Sequence, residues 1–108
     1  MKLPTEVFGD VVVVHTPEEI GADTAQNLEA FLTSQERTNV IVDLDGSETI
    51  DSGGLEALLN AQEALRALQG DLKIATSNAA NRKILEITRL DDHLEVFETV
   101  IDAVKSFA

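Results

Sequence analysis

Three short apolar runs, each followed by a segment with helical spacing, place the strongest constraint on how this chain folds. The runs cover residues 11–14, 40–42 and 72–75. Apolar runs of this length, bounded by polar residues, are typical of buried strands. Strands that alternate with helices favour βαβ crossovers, in which the strands lie parallel. The pattern therefore predicts an α/β fold with a mostly parallel central sheet.

Two further strands extend the predicted sheet. Residues 6–8 precede the turn-forming pair Gly9-Asp10, so they predict an antiparallel edge strand beside residues 11–14. Residues 94–97 alternate between apolar and polar side chains and predict a second edge strand. The sheet thus has four or five strands, with an antiparallel edge strand at its N-terminal side.

About four helices are predicted from apolar faces and from residues that can cap a first turn. Such residues accept a hydrogen bond from an unpaired backbone N–H group. The candidate caps are Asp23 or Thr24, Asp51 or Ser52, Ser77 or Asn78, and Thr99. The longest helix should end near Gln69, with Gly70 as a left-handed stop. Ile84, Leu85 and Ile87 should face the core from the third helix. No repeat or linker divides the chain, so one domain should include all 108 residues.

Composition and charge limit the classes of partner that the protein can bind. The formal charge is −12, with 20 acidic against 8 basic residues. Nucleic-acid binding needs a basic surface, and anionic lipid also repels an acidic protein, so neither partner is expected. A partner with a basic surface is favoured instead. No cysteine is present, and no segment is apolar enough to enter a membrane. We therefore expect a cytoplasmic protein without membrane insertion.

One motif invites an enzymatic interpretation. Residues 40–47 resemble the first motif of haloacid dehalogenase-type phosphatases, in which an apolar strand leads to Asp-x-Asp-Gly. That resemblance makes Asp43 the nucleophile and Asp45 the acid/base beside Mg²⁺, with Asp91 and Asp92 as further candidates for metal binding. An apolar strand that ends in aspartate is common, however, so the sequence favours a protein without catalytic activity.

Two other patterns do not indicate a catalytic site or a metal site. Residues 51–54 also occur around the nucleophile of chymotrypsin-like proteases, but this chain is too short for their double barrel and alternates helix with strand. His15 and His93 each lack a second histidine at ligand spacing, so no metal site is expected. We expect no cofactor.

The segment Asp51-Ser52-Gly53-Gly54-Leu55 introduces the most regular helical pattern of the chain. Asp or Ser before such a pattern predicts a helix N-cap. Ser52 would then lie beside free backbone N–H groups and the positive end of the helix dipole, which together favour a phosphate. We expect those N–H groups to be the ones of residues 53–55. The sequence therefore makes Ser52 a candidate for phosphorylation.

A longer pattern resembles the signature of the STAS domain. Asp43-Leu44 is followed after six residues by residues 51–55, and the resemblance continues through residues 70–85 and 90–97. The STAS family includes the bacterial anti-sigma factor antagonists. In members that are phosphorylated, the switch residue follows the Asp of this signature, which corresponds to Ser52. The resemblance implies that an anti-sigma factor serine kinase modifies Ser52, that a serine phosphatase restores it, and that the unmodified protein sequesters the anti-sigma factor.

The partner surface predicted from this resemblance includes the signature, the loop before the first helix and the exposed face of the next helix. Its residues are Glu18, Glu19, Asp23, Asp51, Ser52, Gly53, Gly54, Glu56 and Asn60. The chain departs from the family in two places. The loop at residues 16–23 is one residue longer, and Gly21 falls near the position of the usual Asp, with Glu19 or Asp23 as its substitute. Gly53 replaces the usual Ser, Thr or Ala and should loosen the helix start.

A second interpretation retains the STAS fold without phosphorylation. STAS-like domains also serve as non-catalytic subunits of transport systems and sensory assemblies. Such a scaffold would not require a modified Ser52. The two interpretations therefore differ in whether a kinase transfers phosphate to this chain.

Overall fold

A five-stranded sheet forms the centre of the computed structural model, which describes all 108 residues. The strands of the whole chain are β1 (Thr5–Phe8), β2 (Val11–His15), β3 (Glu19–Ile20), β4 (Asn39–Asp43), β5 (Thr49–Ile50), β6 (Asp71–Ala75) and β7 (Val96–Phe97). The helices are α1 (Ala25–Thr33), α2 (Ser52–Ala67), α3 (Ala79–Ile87) and α4 (Val100–Lys105), with a short 3₁₀ helix at Leu90–Asp92.

The order of strands in the central sheet is β1-β2-β4-β6-β7. β1 pairs with β2 in antiparallel orientation, and the other pairs are parallel. The crossovers run through α1, α2 and α3, as expected for βαβ units. The predicted fold class is confirmed, including the antiparallel N-terminal edge strand.

Alternate residues of the strands supply two separate cores. Val12 and Val14 belong to the larger one, which contains leucines of α1, α2 and α3. Val11 and Val13 belong to a smaller core with Ala103 of α4. Because both faces of the central strands are covered, β2 and β4 contain continuous apolar runs instead of alternating ones.

A buried lysine helps to attach α4 to the sheet. Lys73 is only 7% exposed, and its Nζ donates to Ser106 Oγ at 2.8 Å. The same ammonium lies 4.1 Å from the centre of the Phe107 ring. The charged ammonium therefore contacts a hydroxyl and the π face of an aromatic ring, both of which stabilise a cation removed from water.

A second, two-stranded sheet was not predicted. Glu19 and Ile20 of β3 pair in parallel with Thr49 and Ile50 of β5, in a region that we expected to be a loop. The amide of Asp51 donates to the carbonyl of Ile20 at 3.0 Å. The small sheet therefore brings the loop before α1 directly to the start of α2.

Three predictions about the helices need correction. The left-handed residue after α2 is Gln69, with φ of 67°, and not Gly70. Thr24 occupies the N-cap position of α1 without a capping bond from its side chain. Ile87 is 70% exposed, because it lies about 200° around the helix from the buried Leu85. Asn78 and Thr99 cap α3 and α4, as predicted.

No helix combines the length and the apolarity that crossing a membrane requires.

Candidate functional site

Ser52 is the first residue of α2 and is exposed to solvent. Only Asp51 separates Ser52 from β5, so the small sheet determines where the helix begins. The chain reaches this point from the carboxyl end of β4, the edge at which parallel α/β sheets commonly hold their functional groups. The hydroxyl therefore lies at an accessible helix start, as the sequence predicts.

Asp51 caps α2 and also binds the preceding loop. Its Oδ1 accepts the amide of Gly54 at 3.0 Å, and its Oδ2 accepts the amide of Ala22 at 3.1 Å. These bonds from the amides of Gly54 and Ala22 stabilise the anion and lower the pKa of Asp51 below its ordinary value. Asp51 thus connects α2 to the loop before α1.

This arrangement corrects the expected set of free N–H groups. The amide of Gly54 is engaged by the Asp51 carboxylate, and the amide of Leu55 donates to the Asp51 carbonyl at 3.1 Å. A phosphate on Ser52 would therefore compete with Asp51 for the amide of Gly54. The sequence could not show this, because Asp51 and Ser52 are both common capping residues.

The glycine pair is explained by close backbone contacts. A Cβ on Gly53 would lie 2.9 Å from the Cα of Ala22, and one on Gly54 would lie 2.5 Å from the Ile20 side chain. Gly53 therefore does not merely loosen the helix start, since it provides space for the loop. The two departures from the family pattern, the longer loop and Gly53, are in contact with each other.

One surface depression adjoins the start of α2. It has a volume of about 540 Å³, and Glu19, Asp23 and Asp51 line it together with Ala22. Two of these acidic residues come from the loop and the third is the N-cap of α2. All three belong to the partner surface predicted from the sequence. The structure places them around one concave site.

A second depression of about 450 Å³ lies between α1 and α2. Three residues of the predicted surface, Gly53, Glu56 and Asn60, line it. Gln26 and Glu29 of α1 line its other side and were not predicted. They were missed because no local pattern in the sequence indicates which helix lies beside α2.

Three residues of the predicted surface line neither depression. Ser52 is exposed and lies in sequence between Asp51, which lines the first depression, and Gly53, which lines the second. Glu18 is exposed, and its carbonyl accepts the amides of Glu48 and Thr49. Gly54 is buried against Ile20, so it shapes the surface from below.

The aspartates of the phosphatase hypothesis have structural partners. Asp43 accepts from the imidazole of His15 at 2.8 Å and from the amide of Asp45 at 3.0 Å. Asp45 accepts from the hydroxyl of Thr76 and from the amide and hydroxyl of Ser77. Their carboxylates thus hold separate loops instead of facing a common substrate. No three acidic or histidine side chains converge on a position where they could bind a metal ion.

His15 joins three strands at this edge of the sheet. Its two ring nitrogens contact Asp43 of β4 at 2.8 Å and Glu6 of β1 at 2.7 Å. Burial lowers the pKa of His15, but the hydrogen bonds and charges of Glu6 and Asp43 outweigh burial and raise it above its ordinary value of 6.5. The sequence offered no signal for this bridge, because the three residues are distant along the chain.

Comparison with known proteins assigns the fold to a family. The model of the STAS domain matches residues 2–103, nearly the whole chain. The chain belongs to the STAS domain family. The resemblance noted in the sequence is therefore confirmed.

Relatives of this STAS domain are named anti-sigma factor antagonists. A Thermotoga neapolitana protein given this name by homology is 21% identical over 106 residues, which is 94% of each chain. The crystal structure of an anti-sigma factor antagonist from Mycobacterium paratuberculosis is 26% identical, with a TM-score of 0.84 over 97% of this chain and 92% of the other. The phosphorylated form of SpoIIAA from Bacillus has a TM-score of 0.72 at 18% identity, over 99% and 100% of the two chains.

Proposed function

We propose that this STAS domain is an anti-sigma factor antagonist controlled at Ser52. In this proposal the unmodified protein binds an anti-sigma factor that is also a serine kinase, and phosphorylation of Ser52 releases it. A serine phosphatase restores the active form, and the domain itself catalyses no reaction. The observation that carries the proposal is the exposed hydroxyl of Ser52 at the start of α2, at the signature position of the family.

The relatives support this type of function. Proteins similar to this chain are named anti-sigma factor antagonists, and one neighbour in fold was solved in a phosphorylated form. The similarity to that neighbour is a similarity of fold, so the modification of Ser52 in this chain is our inference.

The charge around Ser52 explains how a phosphate would release a partner. A phosphate adds about 1.5 to 2 negative charges, and Asp51 and Glu56 are already close in sequence on an exposed surface. A partner in contact with Ser52 would have to desolvate this dianion, which costs several kcal/mol without a matching cation. Since about 1.4 kcal/mol changes affinity tenfold, this cost is sufficient for release.

The proposed contact surface combines residues that line the two depressions with Glu18 and Ser52, which are exposed but line neither. Its residues are Glu18, Glu19, Asp23, Asp51, Ser52, Gly53, Glu56 and Asn60, with Gly54 buried beneath them. The chain carries a formal charge of −12, so a kinase with basic residues around its nucleotide would complement this surface.

Phosphate transfer from ATP provides the test. In the proposed reaction, a bond forms between Ser52 Oγ and the γ-phosphorus, the bond to ADP breaks, and the hydroxyl proton is released. The intact mass of the protein should increase by one phosphoryl group in the presence of the cognate kinase. Ser52→Ala should abolish the increase, whereas Ser77→Ala, at another exposed serine beside a helix start, should retain it.

Binding measurements complete the test. Phosphorylation of Ser52, and to a smaller extent Ser52→Asp, should weaken kinase binding by at least about tenfold. Equal affinity of the modified and unmodified proteins would refute the switch. Binding of a partner without any phosphate uptake would instead favour the scaffold interpretation. Hydrolysis of a phosphate ester with Mg²⁺, lost in Asp43→Asn, would favour the phosphatase.

A further inference from the structure

The loop of residues 21–23 forms a ridge between the two depressions. Ala22 at its centre is exposed and lines both of them. A partner that fills either depression therefore contacts this ridge. The position of Ala22 determines the shape of both parts of the proposed surface.

The ridge has one hydrogen bond to α2. The amide of Ala22 donates to Asp51 Oδ2 at 3.1 Å. The other bonds of the loop, between Thr24 and the backbone of Gly21, close the turn on itself. Gly53 allows the ridge to lie against the helix but offers no side chain to hold it there. Asp51 is therefore the polar connection between the ridge and the helix.

A phosphate on Ser52 would disturb this connection. Ser52 is adjacent to Asp51, and its phosphate oxygens would lie near the N–H groups at the start of α2, among which that of Gly54 now donates to the Asp51 carboxylate. A dianion accepts these N–H groups more strongly than a monoanion does, and it repels the neighbouring carboxylate. When Asp51 turns away from the helix start, it also leaves Ala22.

We propose that Asp51 is a positioning residue that couples the phosphorylation of Ser52 to release of the ridge at residues 21–23. The inference rests on the proposed function. It adds that a phosphate changes the shape of the partner surface as well as its charge. Both depressions change together, because Ala22 lines both.

Amide NMR spectra of the full chain test the coupling, with phosphoserine incorporated at position 52 during synthesis. In the unmodified protein, the Ala22 amide proton should be shifted downfield by its bond to the carboxylate. In the phosphorylated protein, it should move upfield, and its exchange with solvent should accelerate about tenfold or more. The Gly53 and Gly54 amides should follow the titration of the phosphate near pH 6.

Two variants distinguish an effect on the ridge from an effect on the helix cap. Asp51→Ser retains an oxygen that can accept from Gly54 but cannot also reach Ala22, so the Ala22 amide should lose its bond while the Gly54 amide retains one. Ser52→Ala should leave the Ala22 amide unchanged. If Asp51→Ser does not fold, the acid titration of the wild type replaces it, since the Ala22 and Gly54 amides should shift together as Asp51 is protonated.

Two outcomes would overturn the coupling. One is an Ala22 amide that keeps its shift and exchange rate in the phosphorylated protein. The other is an Ala22 amide that does not respond to Asp51→Ser or to acid titration. Because no kinase is needed, failure of a kinase to modify Ser52 would contradict only the proposed function. Partner release with an unchanged Ala22 amide would contradict only the coupling.

Discussion

Two neighbouring residues after α2 have different backbone requirements. Gln69 has φ of 67°, a left-handed conformation that costs a side-chain-bearing residue about 1–2 kcal/mol. Gly70 does not have this conformation, but a Cβ there would lie 2.0 Å from the carbonyl oxygen of Thr38. The glycine is required for a close backbone approach, while the helix stop is provided by Gln69.

Substitution at these two positions should therefore have opposite results. Gly70→Ala should destabilise the protein by about 1–3 kcal/mol, since backbone atoms must move to admit the methyl group. Gln69→Gly should be neutral or stabilising by up to about 1 kcal/mol, because it removes the left-handed strain. Urea unfolding of both variants measures the difference. A stable Gly70→Ala protein would show that the approach to Thr38 is not rigid.

At the scale of single residues, the sequence predicted what depends on local chemistry. The exposure of Ser52 and the caps Asn78 and Thr99 follow from local spacing. The sequence also singled out Gly70, but as a left-handed helix stop. Its actual role, the close backbone approach to Thr38, leaves no pattern in the local sequence. The second bond of Asp51, to Ala22, was unpredictable for the same reason.

At the scale of elements, apolar runs, alternation, turn residues and helical spacing were sufficient for the five main strands and four helices. β3 and β5 were missed because each has only two residues and, unlike β7, does not lie in a longer alternating segment. They are recognisable only from their pairing with each other across about thirty positions of the chain. The part of the site that depends on this pairing, the ridge beside α2, could therefore not be predicted.

The bridge from His15 to Glu6 and Asp43 should make the attachment of β1 dependent on pH. The pKa of His15 is raised in the folded state, so its contribution to stability is complete below the ordinary value of 6.5 and is lost as the pH rises through the folded value. Glu6 and Asp43 are the charged groups that act on this imidazole. Solvent limits the effect to about 0.2–1 kcal/mol.

Urea unfolding at pH 6 and pH 9 tests this bridge. The free energy of unfolding of the wild type should decrease from pH 6 to pH 9, and that of His15→Gln should decrease less. Glu6→Gln should reduce the difference partly, because Asp43 still accepts from the ring. An identical pH dependence in wild type and His15→Gln would contradict the bridge, as would a pKa of 6.5 or lower for His15 by NMR.

At the scale of the whole molecule, the formal charge of −12 affects encounter with a basic partner. Charge attraction raises association rates and is screened by salt. The screening length is about 30 Å at 0.01 M salt and about 8 Å at 0.15 M. At physiological salt, the charges nearest the contact surface should therefore dominate over the total charge.

Two double variants with the same change in charge separate these contributions. Asp23→Asn with Glu56→Gln removes two charges beside the depressions. Asp91→Asn with Asp92→Asn removes two charges at the amino end of the sheet, where Gln62 contacts both His93 and Asp71. At 0.15 M salt, stopped-flow measurements with the kinase should show slower association for the first variant only. At 0.01 M salt, both variants should associate more slowly than the wild type. Equal rates for the two variants at 0.15 M would contradict this prediction, because they would show that the encounter depends on the net charge and not on the position of the charges.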